Sequence, residues 1–484
     1  MLHVSKLDKC LLKEVSFNTI KTNKKIEFLN IESAFDIETS SVIIQNQKSA
    51  FMYIWAFGIG YDNEVFYGRT WDELLNLCEL LQKTYNLNKN RRLVIYVHNL
   101  SYEFQFMAKY FKWLNVFAVD ERKPIKALCS YGIEFRDSYI LSGFSLAKTS
   151  ENLTTYKVSK MVGDLDYELV RTYKTPLTDT EMKYVENDIR VVNAYIKEQI
   201  EQYDDVTKIP MTNTGRVRKY VRDNCYYTSS NHRKSSKSKY TKYRKIMSDL
   251  TIDERIYKQL KRSFMGGFTH ANALYVGQTL ENVASVDFTS SYPSVMLSEQ
   301  YPMSRGKIVI VKNIRQLEFY CKKYCLVFEA KFKNIRSSIE HENYLSESKC
   351  YNLVEPVTNN GRIVEAKEIA ITLTNVDYDI IKQCYEWDEI EVANVTRFHK
   401  GYLPKPIIES IVKLYEDKTV LKDVEGKEVE YLLSKGMLNS VYGMSVTDIV
   451  QDESMYDTSD GWFSKPPNLD EQIEKYNNSH SRFL

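Results

Sequence analysis

The chain has 484 residues, too many for one hydrophobic core, so two or three domains are expected. Hydrophobic residues make up 43% and charged residues 27%, the balance of a soluble globular protein. No apolar run reaches the roughly 18 residues of a membrane-spanning helix. A net charge of +2 does not advertise a nucleic-acid binder, and any contact with phosphates would need basic residues concentrated in a groove. The start, Met1-Leu2-His3-Val4-Ser5-Lys6, has no apolar signal core, and a reducing cytoplasmic location is the default expectation. Among the 8 cysteines the closest pair, Cys321 and Cys325, has no second pair or nearby histidine to complete a zinc site. They read as reduced residues. The 36 tyrosines can stack on bases or fill half-buried strands, and a compositional habit of the source explains them as well.

Residues 1–30 form a charged lead-in. Residues 31–207 alternate strand and helix patterns, which predicts an α/β domain of about 175 residues. Within Ser33-Ala34-Phe35-Asp36-Ile37-Glu38-Thr39, side chains alternate faces, so Asp36 and Glu38 share one face while Phe35 and Ile37 point into a core. Two carboxylates about 7 Å apart along a strand suit hard divalent cations. With 64 acidic residues, about eight such triplets arise by chance, so the triplet needs support. Phe51 to Ile59 reads as a buried strand, Trp71, Leu74, Leu75, Cys78, Leu81 and Tyr85 as a helix, and Leu93 to Val97 as another buried strand. That strand runs through His98-Asn99-Leu100 into a helix start, placing Glu103 near a strand end, where α/β active sites collect. Further on, Val185, Ile189, Val192 and Ile196 mark a helix with Tyr184 and Asp188 beside the stripe at i, i+4. Taken alone, this is equally an ordinary exposed helix face.

Residues 208–260 read as a basic linker. From Asn224 to Ser248 there are Arg233, Lys234, Lys237, Lys239, Lys242, Arg244 and Lys245, six serines and no acidic residue. It is a solvated connector, or one that also touches DNA phosphates. A second α/β-type region follows from 261 to 484, with an insert of turns and strand-like runs at about 305–400, such as Cys325 to Phe332. Phe264-Met265-Gly266-Gly267 opens it, and adjacent glycines let a backbone approach a strand of DNA closely. Ser285 to Met296 places Asp287 at the end of a short β run, before Ser290, Ser291, Tyr292 and Pro293. Lys435, Asn439 and Tyr442 fall on one helix face, with Gly443 ending the run. A cation and two hydrogen-bonding groups in a row suit a nucleotide.

In this order and spacing the segments resemble family B DNA polymerases. Asp36-Ile37-Glu38, then Asn99-Leu100 with Glu103, then Tyr184…Asp188, are similar to the three exonuclease motifs. The resemblance implies an α/β and α+β multidomain protein: a ribonuclease-H-like 3′→5′ exonuclease domain, then a partial palm and fingers. Asp36, Glu38 and Asp188 would hold two metals, Mg²⁺ or Mn²⁺, and Tyr184 would position the attacking water. Asn99, Phe106 and Ser138, the last beside Asp137, would touch the single-stranded 3′ end. The second motif normally carries Asp, and here it is Glu103, one methylene longer with the charge kept. The family also places a lysine near Gly163-Asp164-Leu165-Asp166-Tyr167. Lys157 and Lys160 are close, and neither falls cleanly on that position.

Asp287 to Pro293 is similar to polymerase motif A, which makes Asp287 a metal ligand and Tyr292 the ring that excludes a ribose 2′-hydroxyl. Lys435…Asn439-Ser440-Val441-Tyr442-Gly443 is similar to motif B, with Lys435 on phosphates and Asn439 and Tyr442 near base and sugar. Phe264, Gly266 and Gly267 resemble the DNA-contacting Tyr-x-Gly-Gly element of the protein-primed branch, with Phe264 replacing Tyr. Leu373-Thr374-Asn375-Val376-Asp377 also recurs there, and the 305–400 insert would meet a terminal protein and wrap DNA. Tyr456-Asp457-Thr458-Ser459-Asp460 imitates motif C with the wrong Asp spacing and reads as a loop. Thr358-Asn359-Asn360-Gly361-Arg362 imitates a template-binding element and reads as a hairpin turn.

The resemblance therefore implies a phage-encoded, protein-primed DNA-directed DNA polymerase with proofreading, acting in the host cytoplasm. Its partners would be primer–template and single-stranded DNA, dNTPs and a priming terminal protein. The sequence ends at Leu484 before a motif C. The expectation is a chain that polymerises poorly alone, either a truncated frame or half of a split enzyme completed by a second polypeptide carrying motif C and thumb. Two alternatives stay open: a free-standing 3′→5′ single-strand exonuclease with a vestigial palm, and a DNA- or primer-protein-binding module.

Overall fold

The computed structural model describes residues 1–161, 169–227, 237–269, 272–339 and 343–479. The chain divides into two units. The first comprises Met1–Val217, Asp417–Met437 and Gln451–Pro467, and the second comprises Arg218–Glu416, Leu438–Val450 and Asn468–Leu484. No helix among the described residues is long and apolar enough to cross a membrane.

The first unit is built on a mixed sheet of strands β1 (Ser33–Ile44), β2 (Gln47–Ile59), β3 (Val65–Gly68), β4 (Arg91–Val97), β5 (Trp113–Asp120), β6 (Lys123–Cys129) and β7 (Ile133–Asp137). Their order across the sheet is β3-β2-β1-β4-β7-β6-β5. β1, β2 and β3 form an antiparallel meander, β4 and β7 run parallel to β1, and β6 and β5 return antiparallel. Helices α1 (Trp71–Tyr85), α2 (Leu100–Met107) and α3 (Asp179–Tyr203) cover it. The apolar run Phe51–Ile59 is buried on both faces, as expected of a central strand. Alternation along β1 does the rest. Phe35 and Ile37 enter one core with Leu74, Leu77 and Leu81 of α1 and Phe104 of α2. Ala34 faces the other core with Val185, Ile189, Val192 and Ile196 of α3. Capping boxes fix the starts of α1 (Thr70 with Glu73) and α3 (Thr178 with Glu181).

The charged lead-in is not idle. Leu2–His3 pairs with β3, and the hairpin Asn18–Lys21 with Glu27–Asn30 pairs with the start of β4. The segment expected as a linker carries helices α4 (Asn213–Tyr226), α5 (Lys237–Asp249) and α6 (Glu254–Ser263). Tyr226, Tyr243 and Met247 bury their side chains, and Tyr226 packs 5.1 Å from the rings of Tyr240 and Tyr243. An apolar stripe hidden among the lysines made these helices. Arg233, Lys234 and the Gly163–Tyr167 stretch lie outside the described residues.

The second unit centres on an antiparallel sheet in which β8 (Tyr324–Ser337) lies between β9 (Arg362–Thr374) and β10 (Glu389–Gly401). Phe328, Phe332, Ile371 and Tyr378 fill its core. Asn359 pairs with Arg362 across Asn360 and Gly361, whose φ values are 49° and 71°, so the expected hairpin turn is present. Thr374 and Asp377 form a capping box, which gives the Leu373–Asp377 motif a structural job at the start of a helix, Asn375–Cys384.

Two local expectations are corrected. The β run before Asp287 is not formed: Val286 is 95% exposed and Phe288 84% exposed, and among the described residues no strand pairs with them. Without a ladder partner, an alternating apolar pattern has nothing to bury against. The stretch Tyr456–Asp460 is not a plain loop but the tip of a hairpin, β11 (Glu453–Asp457) with β12 (Gly461–Lys465), in the first unit.

Gly132 precedes β7 at φ +78°, and a Cβ there would lie 2.5 Å from the backbone N of Asn88. Gly132→Ala is expected to lower stability by about 1–3 kcal/mol, from strain plus a backbone clash. A fall in the urea midpoint measures it, and an unchanged midpoint contradicts this account of the β4–β7 join.

Candidate active site

Strand alternation brings Asp36 and Glu38 onto the face of β1 that looks toward α3. On α3, Asp188 sits one residue from the buried Ile189 and points back at the same place. One oxygen from each of Asp36, Glu38 and Asp188 lies within 4.8 Å of the others. Glu103 of α2 approaches from the end of β4. Its side chain is buried, and its Oε2 has no hydrogen-bond partner. Asn99 starts α2 in the left-handed region at φ 80°, which turns the chain sharply from strand into helix and swings Glu103 inward.

The electrostatics follow from this crowding. Burial, then the neighbouring Glu38 and Asp188, push the Asp36 carboxyl well above the usual range. Burial and Asp188 raise Glu38 to about 7. Burial and Asp36 raise Glu103 well above its ordinary value, and burial raises Asp188 against the pull of Lys160. Asp36 and Glu38 retain some exposure as residues, but their carboxyl groups are enclosed by protein. Several hard oxygen donors, mutual repulsion and one buried oxygen without a partner fit a hard divalent cation. Asp36, Glu38 and Asp188 would hold the ion, which would supply positive charge to an attacking water and to a phosphate.

Two cations stand close by: Lys160, which the sequence offered beside Lys157 only as near the family's lysine, and Arg171, which the sequence did not mark. Lys160 pairs with Asp188, and its Nζ lies 3.6 Å from the centre of the Tyr184 ring. It sits in an irregular segment, Val158-Ser159-Lys160, so no periodicity marked it. Arg171, buried, bonds Glu181 at 2.5 Å and reaches Ser40 of β1 through its backbone N–H at 3.0 Å. Its charge holds Glu38 down, opposing burial.

The other first-unit residues are placed as follows. Asn99 is exposed and Phe106 is partly exposed, its ring 5.1 Å from that of Tyr102. Ser138 is fully buried: its hydroxyl donates to Val97 O at 3.3 Å and meets His98 Nδ1 at 3.2 Å. A hydroxyl satisfied inside the fold does not present itself to a strand of DNA, so its expected contact is corrected. Asp137, also buried, accepts from Ile140 N at 2.7 Å, and burial raises it to about 6.

In the second unit, Tyr292, on the helix Ser291–Ser298, stacks on Tyr442 with ring centres 4.0 Å apart and planes 18° apart. A Cβ on Gly267 would lie 2.9 Å from the Tyr292 hydroxyl, so a side chain there would have to displace that ring's tip. Gly266 faces open space, and Phe264 ends α6 with its ring 46% exposed. Asn439 and Tyr442 lie on the helix Glu428–Ser445, which runs two residues past Gly443; Lys435, exposed on the same helix, falls in the stretch that belongs to the first unit. Asp287 is exposed, and among the described residues it joins no cluster of three potential metal ligands.

The family model for DNA polymerase type B, organellar and viral, matches residues 155–482, most of the chain. The chain belongs to this family. The DNA polymerase of Bacillus phage B103 is 23% identical over 416 residues, which cover 81% of this chain and 64% of the relative. That of Bacillus phage phi29 is 24% identical over 296 residues, 60% of this chain and 44% of the relative. The chain thus spans less than two thirds of the length of the curated relatives it matches. The structure of phi29 DNA polymerase complexed with primer-template DNA shares its fold, with a TM-score of 0.66 at 15% identity over 92% of this chain and 75% of that one. A complex of the same polymerase with single-stranded DNA gives 0.63 at 16% identity over 93% of this chain and 76% of that one.

The carboxylate set predicts a linked response to pH and metal. Glu38 titrates near 7 in the fold against 4.5 as its ordinary value, so the fold holds more protons than the unfolded chain in that window. Metal-free protein therefore loses stability as pH rises from about 4.5 to about 7, on the order of 3 kcal/mol at most from this group. Millimolar Mn²⁺ should raise Tm little at pH 5 and much more at pH 8. A metal effect that is flat in pH, or equal in Glu38→Gln, sinks this assignment.

Proposed function

We propose that this chain is part of a phage DNA replication polymerase with two chemical centres. The exonuclease domain is 31–207, ribonuclease-H-like, and 261–484 supplies palm and fingers elements beyond the 208–260 segment. At the first centre Asp36, Glu38 and Asp188 hold two divalent ions, with Glu103 completing the acidic set. Tyr184, with Lys160 over its ring, orients the water that attacks the last phosphodiester at a 3′ end. Asn99 and Phe106 line the approach for single-stranded DNA. At the second centre Asp287 binds metal, Tyr292 screens the sugar, and Lys435, Asn439 and Tyr442 receive the dNTP. Phe264, Gly266 and Gly267 lie along the primer–template.

The observation that carries this reading is the convergence of Asp36, Glu38 and Asp188 to within 4.8 Å in a chain of the type B family. Priming by a terminal protein and action in the host cytoplasm are part of the same proposal and rest on sequence resemblance. A second reading, 3′→5′ single-strand exonuclease activity alone, is favoured by one contrast. Among the described residues the acidic cluster is in the first unit, while Asp287 stands exposed outside any such cluster.

A 5′-labelled primer–template with Mg²⁺ or Mn²⁺, with and without dNTPs, separates the readings. Shortening without extension supports the second, and extension supports the first. Asp36→Ala with Glu38→Ala should cut shortening by at least roughly a hundredfold, the scale lost with one charge-stabilising group. Asp287→Ala should remove extension and leave shortening untouched. Shortening that survives the double substitution refutes the exonuclease centre.

A further inference from the structure

The hairpin β11–β12 lies far along the chain from the acidic cluster, beyond the motif-B helix, yet it packs in the first unit. Tyr456 and Trp462 are cross-strand partners, with rings 5.2 Å apart. Both turn toward Phe104 of α2: its ring centre is 5.2 Å from Tyr456, edge to face, and 5.6 Å from Trp462. Phe104 is fully buried, and its remaining side meets Trp113 at 4.8 Å. The tip of the hairpin is tied as well. Thr458 Oγ1 accepts from the backbone N–H of Trp113 at 3.3 Å, and Asp457 caps the turn by accepting from Ser459 N at 2.7 Å.

Phe104 immediately follows Glu103. On a helix, neighbours point about 100° apart, so one residue can face the carboxylates while the next is gripped by the aromatic cluster. α2 is only eight residues long, and a helix that short takes its orientation from packing. Asn99 at its start has no side-chain cap bond, so the amino end of α2 is not fixed that way. The clamp on Phe104 acts together with the buried Leu100 and Met107 on where Glu103 points.

We propose that Tyr456 and Trp462 are positioning residues for the exonuclease centre, holding Glu103 at the metal site through Phe104. This rests on the exonuclease reading above. It makes a segment that follows the nucleotide-binding helix part of the apparatus that sets the rate of hydrolysis at the other centre. Parting the hairpin from α2 would loosen Glu103 without touching a metal ligand.

The test uses the full chain, a 5′-labelled single-stranded oligonucleotide and Mn²⁺. Tyr456→Ala and Trp462→Ala should each lower kcat about tenfold or more, with KM changed less than about twofold, because misplacement of a reacting group is felt in the rate. Tyr456→Phe and Trp462→Phe keep a ring against Phe104 and should restore kcat. Thr458→Val, which loses only the bond at the tip, should fall between. Circular dichroism in the near ultraviolet confirms that each variant keeps its tertiary packing. Alanine variants that digest like the wild type overturn the positioning role and leave the exonuclease reading intact. A fall in kcat that the Phe variants do not reverse also overturns it. A wild-type chain that digests no faster than Asp36→Ala with Glu38→Ala overturns both.

Discussion

Four carboxyl groups converge in the first unit with too little counter-charge beside them. Asp36, Glu38, Asp188 and Glu103 are drawn from a strand and two helices, and among the described residues Lys160 and Arg171 are the cations that answer them nearby. Like charges in an enclosed place are expensive unless protons or a dication neutralise them. Everything around the cluster can be read as the means of tolerating that cost. The two cores on either side of the sheet hold in place the strand and helices that carry the set. The strand alternation that sends Phe35 and Ile37 one way sends Asp36 and Glu38 the other. The same residues thus anchor β1 and define the charge it carries.

Second in importance is the arrangement of supports at the edges of this cluster. Arg171 ties the amino end of α3 to β1, through Glu181 on one side and Ser40 on the other. Glu181 is at once the capping residue of α3 and the partner of that arginine. Asp188, two turns further on, inherits its direction from this anchored start. A buried pair of this kind is weak evidence for stability but good evidence for a fixed geometry, which is what a metal site needs.

Much of the first unit was legible in the sequence because its patterns are local. The buried strands at Phe51–Ile59 and Leu93–Val97 and the helix at Trp71–Tyr85 announce themselves by period, and the acidic residues by spacing along them. Lys160 was named only together with Lys157, and nothing local chose between them, because Lys160 reaches Asp188 and Tyr184 from an irregular segment where no period operates. The helices between 213 and 263 were masked by composition: lysines and serines outnumber the few tyrosines, isoleucine and methionine that pack. Conversely, the short apolar alternation around Asp287 looked like a strand, but a strand exists only through a partner, and none of the described strands pairs with it. The hairpin at Tyr456–Trp462 combines both problems. Its strands are short, and its packing partner Phe104 lies hundreds of residues away in sequence.

The stacked pair Tyr292–Tyr442 has a consequence of its own. At 4.0 Å between ring centres the two planes are in van der Waals contact, which leaves no slot between them for a third flat molecule. On the nucleotide-binding reading proposed above, a purine or pyrimidine would have to lie on an outer face of the pair or wedge the rings apart. Wedging would displace Tyr442, which lies near the end of the helix Glu428–Ser445. Ligand occupancy at that place would then be readable as tyrosine fluorescence, with the pair acting as its own optical reporter.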